Sequence, residues 1–160
     1  PEQAGNWAYP QPWMSDEEIA FTMVTGLSGR LYLSGFLDAM APEQLQLVRE
    51  ATALFKQIRG DTAQAVPSWP LGLPDWYADS VALTLTAPNR TLVYVWHRGG
   101  EDAEINLRLE PEVRAEHLIE CYPRQLTAWE VADPYDGSVL LSPGLAGPSA
   151  RIYQILKGPA

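Results

Sequence analysis

Apolar residues at helical spacing mark two segments within the first sixty positions. Ser15-Asp16-Glu17-Glu18 has the composition of a capping box, and the apolar residues after it predict a largely buried helix over 16–28. Gly29 is placed to end that helix in the left-handed conformation. Pro42 and the apolar residues that recur every three or four positions after it predict an amphipathic helix over 42–59, which Gly60 would end.

A short apolar run lies between the two predicted helices. Arg30–Leu33 is flanked by Gly29 and Gly35, and such a run predicts a buried strand with protein on both faces, as in a parallel sheet. Residues 61–75 are rich in proline and glycine. Because proline removes a ladder donor, this segment is predicted to be an ordered connector without a secondary-structure element of its own.

From Trp76 onward the apolar pattern changes from a period near four to a period of two. Val81, Leu83 and Leu85 are the first alternating set, and similar short runs recur to the end of the chain, separated by turn residues such as Asp136-Gly137. About seven short strands at this spacing predict an antiparallel β-sandwich over 76–160. The fold class is therefore α+β, with residues 1–60, 61–75 and 76–160 as successive units. We expect seven of the alternating residues to be mostly buried: Val81, Leu83, Leu85, Tyr94, Trp96, Leu107 and Ile155.

Composition narrows the possible partners. The chain of 160 residues has a net charge of −9, so it repels phosphate backbones and nucleic acid is not expected as a partner. One cysteine, Cys121, excludes an internal disulfide framework. His97 and His117 stand twenty positions apart without partners at metal-ligand spacing, so we expect neither a metal nor a cofactor. No membrane span and no signal peptide are visible, which favours a cytoplasmic location.

An aromatic stretch precedes the first helix. Trp7, Tyr9 and Trp13 alternate with two prolines, and Gln11 lies among them. Flat rings on a stiff loop can stack on sugar faces while an amide binds hydroxyls, so Trp7, Tyr9 and Gln11 are candidate substrate-binding residues. The alternative is that Trp13 staples the helix entry and that Trp7 and Tyr9 pack on a neighbour. The acids Asp16, Glu17 and Glu18 are assigned to helix capping rather than to catalysis.

Four motifs in the first half of the chain occur in a fixed order: GNWAYPQP (5–12), MSDEE (14–18), TGLSGRLYLSG (25–35) and WPLGLP (69–74). Together they resemble the C-terminal region of glycoside hydrolase family 36 alpha-galactosidase-like enzymes. The resemblance implies that residues 1–60 are the last units of a (β/α)₈ barrel, with Trp7 to Trp13 in the loop after the seventh strand and the eighth strand at Arg30–Leu33. It also implies a C-terminal sandwich, a carbohydrate substrate and a retaining mechanism.

The same resemblance places the nucleophile and the acid/base on earlier barrel strands, so no residue here receives a catalytic role and the chain alone is expected to be inactive. Pro1 stands where an initiator methionine would be, so we expect a fragment or a processed chain. The alternative is a free-standing accessory or carbohydrate-binding module. A severed barrel end would expose its apolar helices, which would then either fold back on the sandwich or pair with a second copy as a homo-oligomer.

Overall fold

A computed structural model describes residues 3–100, 103–134 and 137–157. Its N-terminal part alternates strands and helices: β1 Gly5–Ala8, α1 Asp16–Leu27, β2 Arg30–Leu33, a short 3-10 helix at Leu37–Ala39, and α2 Pro42–Gln64. β1 and β2 pair in parallel, with Trp7 opposite Tyr32. The strand over Arg30–Leu33 and the start of α1 are confirmed. The prediction that this strand is buried on both faces is wrong, because Arg30 and Tyr32 are exposed. β1 was not predicted, because its four residues lie in an aromatic and proline-rich stretch that is typical of a loop.

The two helices end differently from the prediction. α1 ends with Ser28 as a right-handed C-cap, so Gly29 is not a left-handed stop. Gly29 is needed for close packing instead, since a Cβ there would lie 2.7 Å from the Ala4 carbonyl oxygen. α2 continues past Gly60 to Gln64. Thr62 in that extra turn is buried, so tertiary packing extends the helix beyond its local stop signal.

Eight further strands follow α2. They are β3 Val66–Ser68, β4 Ser80–Thr86, β5 Arg90–His97, β6 Ile105–Leu107, β7 Ile119–Tyr122, β8 Glu130–Ala132, β9 Val139–Ser142 and β10 Ser149–Leu156. One sheet has the order β3-β4-β5-β10-β7 and the other has the order β6-β9-β8. Every pairing in these two sheets is antiparallel. The α+β class is therefore confirmed.

Two details of the strand predictions differ. The proline-rich connector is not free of elements, because β3 lies within it and forms an edge of the five-stranded sheet, where it pairs with β4. Proline is tolerated at a sheet edge, where its missing N–H breaks no ladder. The period-two pattern also predicts a strand over 117–121, but His117 belongs to a short 3-10 helix at Ala115–His117. The turn predicted at Asp136-Gly137 includes residue 136, which lies outside the described residues.

Two hydrophobic clusters hold these elements together. The first joins α1, α2 and the β1–β2 pair to one face of the five-stranded sheet, through residues such as Leu27, Ile58, Tyr94 and Ile152. The second joins the opposite face of that sheet to the three-stranded sheet, through residues such as Val93 and Leu141. Because each strand sends alternate side chains to opposite faces, β5 and β10 contribute to both clusters. The five-stranded sheet is thus the middle layer.

The expected core residues are largely in place. Leu85, Tyr94 and Leu107 are buried, whereas the remaining four of the seven residues are only half-buried. These four are Val81, Leu83, Trp96 and Ile155. Six of the seven, all except Val81, pack in one or other cluster, so the period-two pattern identified most inward positions correctly but overestimated their burial.

The helices pack back on the sheet, which is the first of the two arrangements expected for them. The Tyr94 hydroxyl donates to the Leu27 carbonyl at 3.1 Å, and Trp96 Nε1 donates to Thr25 Oγ1 at 3.1 Å. Both sheet residues therefore contact the last turn of α1, where helix carbonyls lack intrahelical partners. Within the described residues, no helix is both long and apolar enough to span a bilayer.

Candidate functional site at the carboxyl ends of the parallel strands

Two loops leave the carboxyl ends of β1 and β2 on the same side of the parallel pair. The first spans 9–15 and the second spans 34–41. Two hydrogen bonds hold these segments together. The backbone Ser34 N donates to the Ala8 carbonyl at 3.0 Å, and the backbone Phe36 N donates to the side-chain Oε1 of Gln11 at 3.3 Å. Gly35 has φ +139°, and a Cβ there would lie 2.2 Å from the Pro10 carbonyl oxygen. Only glycine allows this approach.

Three aromatic side chains, which we call the strand-face rings, cover the side of the β1–β2 pair opposite α1. Trp7 stacks on Tyr9 with ring centroids 5.6 Å apart and on Tyr32 with centroids 5.2 Å apart. All three remain exposed. The other side of the pair carries Ala8 and Leu31, which pack in the first cluster. The strand-face rings therefore form an apolar surface that no described residue covers.

A second aromatic pair, which we call the rim rings, lies on the two loops themselves. Trp13 and Phe36 have ring centroids 6.1 Å apart and planes inclined by 51°. Trp13 is 70% exposed and Phe36 is 60% exposed. Gln44 on α2 fixes the backbone on both sides of Trp13, because its Nε2 donates to the carbonyls of Pro12 and Met14 at 3.2 and 2.9 Å.

The structure brings the three predicted substrate-binding residues to this region in different settings. Trp7 lies on β1 itself rather than in a loop, so the prediction that it follows the strand is wrong. Tyr9 directly follows the strand, and half-buried Gln11 ties the two loops through its Oε1. Contact of Trp7, Tyr9 and Gln11 with a sugar stays a prediction. The stapling role proposed for Trp13 is wrong, because Met14 occupies the position before the N-cap and packs in the first cluster.

The acids at the start of α1 have structural partners. The Ser15 side chain accepts from Glu18 N, and Glu18 reaches back to Ser15 N at 2.8 Å, which confirms the capping box. The hydrogen bond from the Ser15 backbone, followed by that from its side chain, lowers the pKa of Glu18. Glu17 was assigned only to the positive end of the α1 helix dipole. Its carboxylate also accepts two hydrogen bonds from Arg151 of β10, at 2.7 and 2.8 Å.

Among the described residues elsewhere, the two histidines and the cysteine each contact a backbone atom. His97 Nε2 lies 2.8 Å from the Gly100 carbonyl oxygen, and His117 Nδ1 accepts from Arg114 N at 3.0 Å. Burial raises the pKa of the Cys121 thiol to about 11, so it is not an activated nucleophile. Across 3–100, 103–134 and 137–157, no three histidine, cysteine or acidic residues are grouped as a metal ion would require.

A cleft of about 240 Å³ lies beside the second cluster, since Val113 and Ile155 of that cluster also line it. Hydroxyls line it, including Thr84, Thr86 and Thr91, together with charged Arg108 and Lys157. Its lining contains neither an aromatic ring nor a pair of carboxylates. The exposed rings near β1 and β2 are therefore the stronger candidate for a binding surface.

Comparisons with known proteins give matches in structure only. No family model matches the chain, and no curated protein matches it. A variant of the glycoside hydrolase family 36 alpha-galactosidase of Geobacillus stearothermophilus, solved with 1-deoxygalactonojirimycin, is similar over 84% of this chain and 19% of that one, with a TM-score of 0.58 and 12% identity.

Two other solved structures give similar values. The galactosidase domain of an alpha-galactosidase-sucrose kinase matches over 92% of this chain and 21% of that one, with a TM-score of 0.59 and 13% identity. An alpha-amylase from Anoxybacillus matches over 90% of this chain and 33% of that one, with a TM-score of 0.61 and 14% identity. The chain thus spans between 19% and 33% of the length of these three glycoside hydrolase structures, with which it shares a fold.

Proposed function

We propose that the chain is the C-terminal part of an alpha-galactosidase-like glycoside hydrolase. Residues up to 64 supply the last two strand–helix units of its (β/α)₈ barrel, and the strands from β3 onward form a C-terminal β-sandwich. The full-length protein hydrolyses alpha-galactosides with retention of configuration. This chain contributes part of the substrate cleft, while the catalytic carboxylates lie on earlier strands.

One observation carries the proposal: a two-stranded parallel sheet that is covered on one side only. Parallel sheets occur almost exclusively with both faces buried, as in α/β barrels. Here α1 covers one side of the β1–β2 pair, and the strand-face rings remain exposed on the other side. Six further strands of the same polypeptide would close a barrel on that side and pair with the open edges of β1 and β2.

The second hydrophobic cluster is the observation that supports a β-sandwich. Ala82, Val93 and Tyr153 of the five-stranded sheet share that cluster with Ile105 and Leu141 of the three-stranded sheet. Two antiparallel sheets whose inner side chains form one core are the arrangement of a β-sandwich. The helices on the outer face of the larger sheet then correspond to the interface between barrel and sandwich.

The comparisons support this proposal over a free-standing module. Two of the similar structures are described as alpha-galactosidases or galactosidase domains, and a third is described as an alpha-amylase. All three chains are at least about three times as long as the part that this chain matches. A carbohydrate-binding module that stands alone would also leave the strand-face rings without a covering layer.

The experiment compares the full-length protein with the isolated 160-residue chain on p-nitrophenyl alpha-galactoside. We expect the full-length protein to release p-nitrophenol and the isolated chain to give the rate of a matched blank, because both catalytic carboxylates would be missing from it. Proton NMR of the first sugar released reports whether the configuration is retained. Turnover by the isolated chain, or a reading frame that starts close to Pro1, would refute the proposal.

A further inference from the structure

The cleft beside the second cluster lies on the face of the five-stranded sheet that is turned away from α1 and α2. On β5, Val93 packs in the second cluster, and Thr91 stands two positions earlier on the same face. On β4, Ala82 packs in that cluster, and Thr84 and Thr86 continue its face. The remaining strands of the proposed barrel would add to the β1–β2 pair on the helix side of this sheet, so their absence does not create the cleft.

Two pairs of hydroxyl groups, which we call the hydroxyl floor, line the cleft along β3, β4 and β5. The Ser68 and Thr84 hydroxyls form one pair, and the Thr86 and Thr91 hydroxyls form the other with 3.3 Å between their oxygens. Thr84 and Thr91 are buried. A hydroxyl donates one hydrogen bond but has two lone pairs. Each pair therefore keeps lone pairs that can accept from the O–H groups of a ligand.

Charged side chains of both signs line the same cleft. Arg108 and Glu110 follow β6, Lys157 follows β10, and all three are exposed. The backbone that carries the two cations is held in place, because Arg108 N donates to the Pro70 carbonyl and Lys157 N donates to the Asn89 carbonyl, both at 3.1 Å. A binding site that is formed in advance loses little conformational entropy when its ligand arrives.

The combination of donors and acceptors identifies the class of ligand. An oxyanion only accepts hydrogen bonds, so it would use Arg108 and Lys157, be repelled by Glu110 and leave the hydroxyl floor unused. Sugar hydroxyls both donate and accept, so a neutral sugar can use all of these groups. Val113 and Ile155 line the cleft as well and can pack on the C–H groups of a sugar ring. The volume of about 240 Å³ is below the range of about 300–1,000 Å³ for drug-sized ligands, which suits one sugar ring.

We infer that this cleft binds a single neutral sugar unit, at a site on the sandwich separate from the loops after β1 and β2. The hydroxyl floor and Glu110 accept hydrogen bonds from the sugar, and Arg108 and Lys157 donate to it. Among the described residues, only Glu110 brings a carboxylate to the cleft, so the site binds sugar without cleaving it. The inference goes beyond the proposed function and does not depend on it, because no step of hydrolysis takes place here.

The test is an NMR titration of the 160-residue chain with D-galactose and, separately, with D-glucose. We expect at least one of the two sugars to shift the amide signals of Thr84, Thr86 and Thr91 in a saturable way, with a dissociation constant of about 1–10 mM. Arg108→Ala removes an exposed side chain and should weaken this binding about tenfold or more, because it removes a charged hydrogen-bond donor. Thr91→Val removes one hydroxyl of the floor, keeps the branched shape and should also weaken binding.

Controls address the position of the site and the class of ligand. Arg49→Ala removes an exposed arginine of α2 outside the cleft and should leave sugar binding unchanged. Inorganic phosphate should bind more weakly than the sugar. The inference is overturned if neither sugar gives a saturable shift at these threonines up to about 100 mM, if Arg108→Ala binds as the parent does, or if phosphate binds more tightly. Failure of the alpha-galactoside assay would instead refute the proposed function and leave these results unaffected.

Discussion

The ion pair between Glu17 and Arg151 joins the first turn of α1 to the five-stranded sheet, and its removal should destabilise the fold strongly. The Arg151 side chain is fully buried, and that of Glu17 is 23% exposed. Besides its two contacts with Glu17, the guanidinium donates to the Thr127 and Ala150 carbonyls at 2.8 and 2.9 Å. It also lies 5.1 Å from the centre of the Trp129 ring.

Glu17→Gln keeps the shape of the side chain and removes only its charge. Arg151 then stays buried with neutral acceptors, and breaking a buried pair in this way costs about 3–5 kcal/mol. We expect about 3 kcal/mol, the lower end of that range, because part of the Glu17 carboxylate still reaches water and because the Glu120 carboxylate also acts on Arg151. For a chain of this size, that loss lowers Tm by about 6–12 °C.

Urea unfolding followed by tryptophan fluorescence and circular dichroism measures the loss as a lower midpoint at unchanged slope. Glu43→Gln is the matched control, since Glu43 is also a first-turn acid and is exposed; it should change stability by less than about 0.5 kcal/mol. In a double-mutant cycle with Arg151→Met, the coupling energy should reach about 1–3 kcal/mol. If Glu17→Gln unfolded at the parent's midpoint, the pair would contribute nothing and the reasoning would be refuted.

Two further predictions concern β7. Burial raises the pKa of Glu120, and the nearby Arg151 only partly opposes this shift. Protonation of Glu120 is therefore more favourable in the folded than in the unfolded chain, and the stability that this difference contributes at low pH is lost as pH rises through the raised value. Glu120→Gln should increase the urea midpoint at about pH 7 but not below about pH 4, whereas exposed Glu130→Gln should change neither; a gain of equal size at both pH values would contradict this. Cys121, with its pKa raised to about 11, should react with a thiol reagent at about pH 8 far more slowly than the denatured chain does. Equal rates would show that the thiol is accessible.

Local signals were sufficient to predict much of the fold. The capping box at Ser15 depends on contacts between near neighbours and is found as predicted, whereas the run Arg30–Leu33 is a strand as predicted but is not buried on both faces. β1 could not be predicted, because a four-residue strand among prolines is defined by its parallel partner β2 rather than by its own composition. The extra turn of α2 is also tertiary in origin: Asp61 there binds Arg90 of β5 at 2.9 Å.

The candidate site was predicted only in part, because it also depends on contacts between residues that are distant in the sequence. The aromatic stretch drew attention to Trp7, Tyr9 and Gln11, but its pattern does not show which rings belong to the strand and which to the rim. Phe36 was missed because nothing in its own segment links it to Trp13, which lies 23 positions earlier. The partner of Glu17 was missed because Arg151 lies 134 positions further along the chain.

The sheets also bear on the candidate site, although they lie on the other side of α1. The rim ring Trp13 stands three residues before α1 begins, and Arg151 holds the first turn of that helix through Glu17. Tyr94 and Trp96 bind the last turn of the same helix. Because α1 is thus fixed at both ends by β5 and β10, the sheet layer sets where the loop over 9–15 ends. In a barrel enzyme, a C-terminal domain attached in this way would hold one wall of the substrate cleft without contacting the substrate.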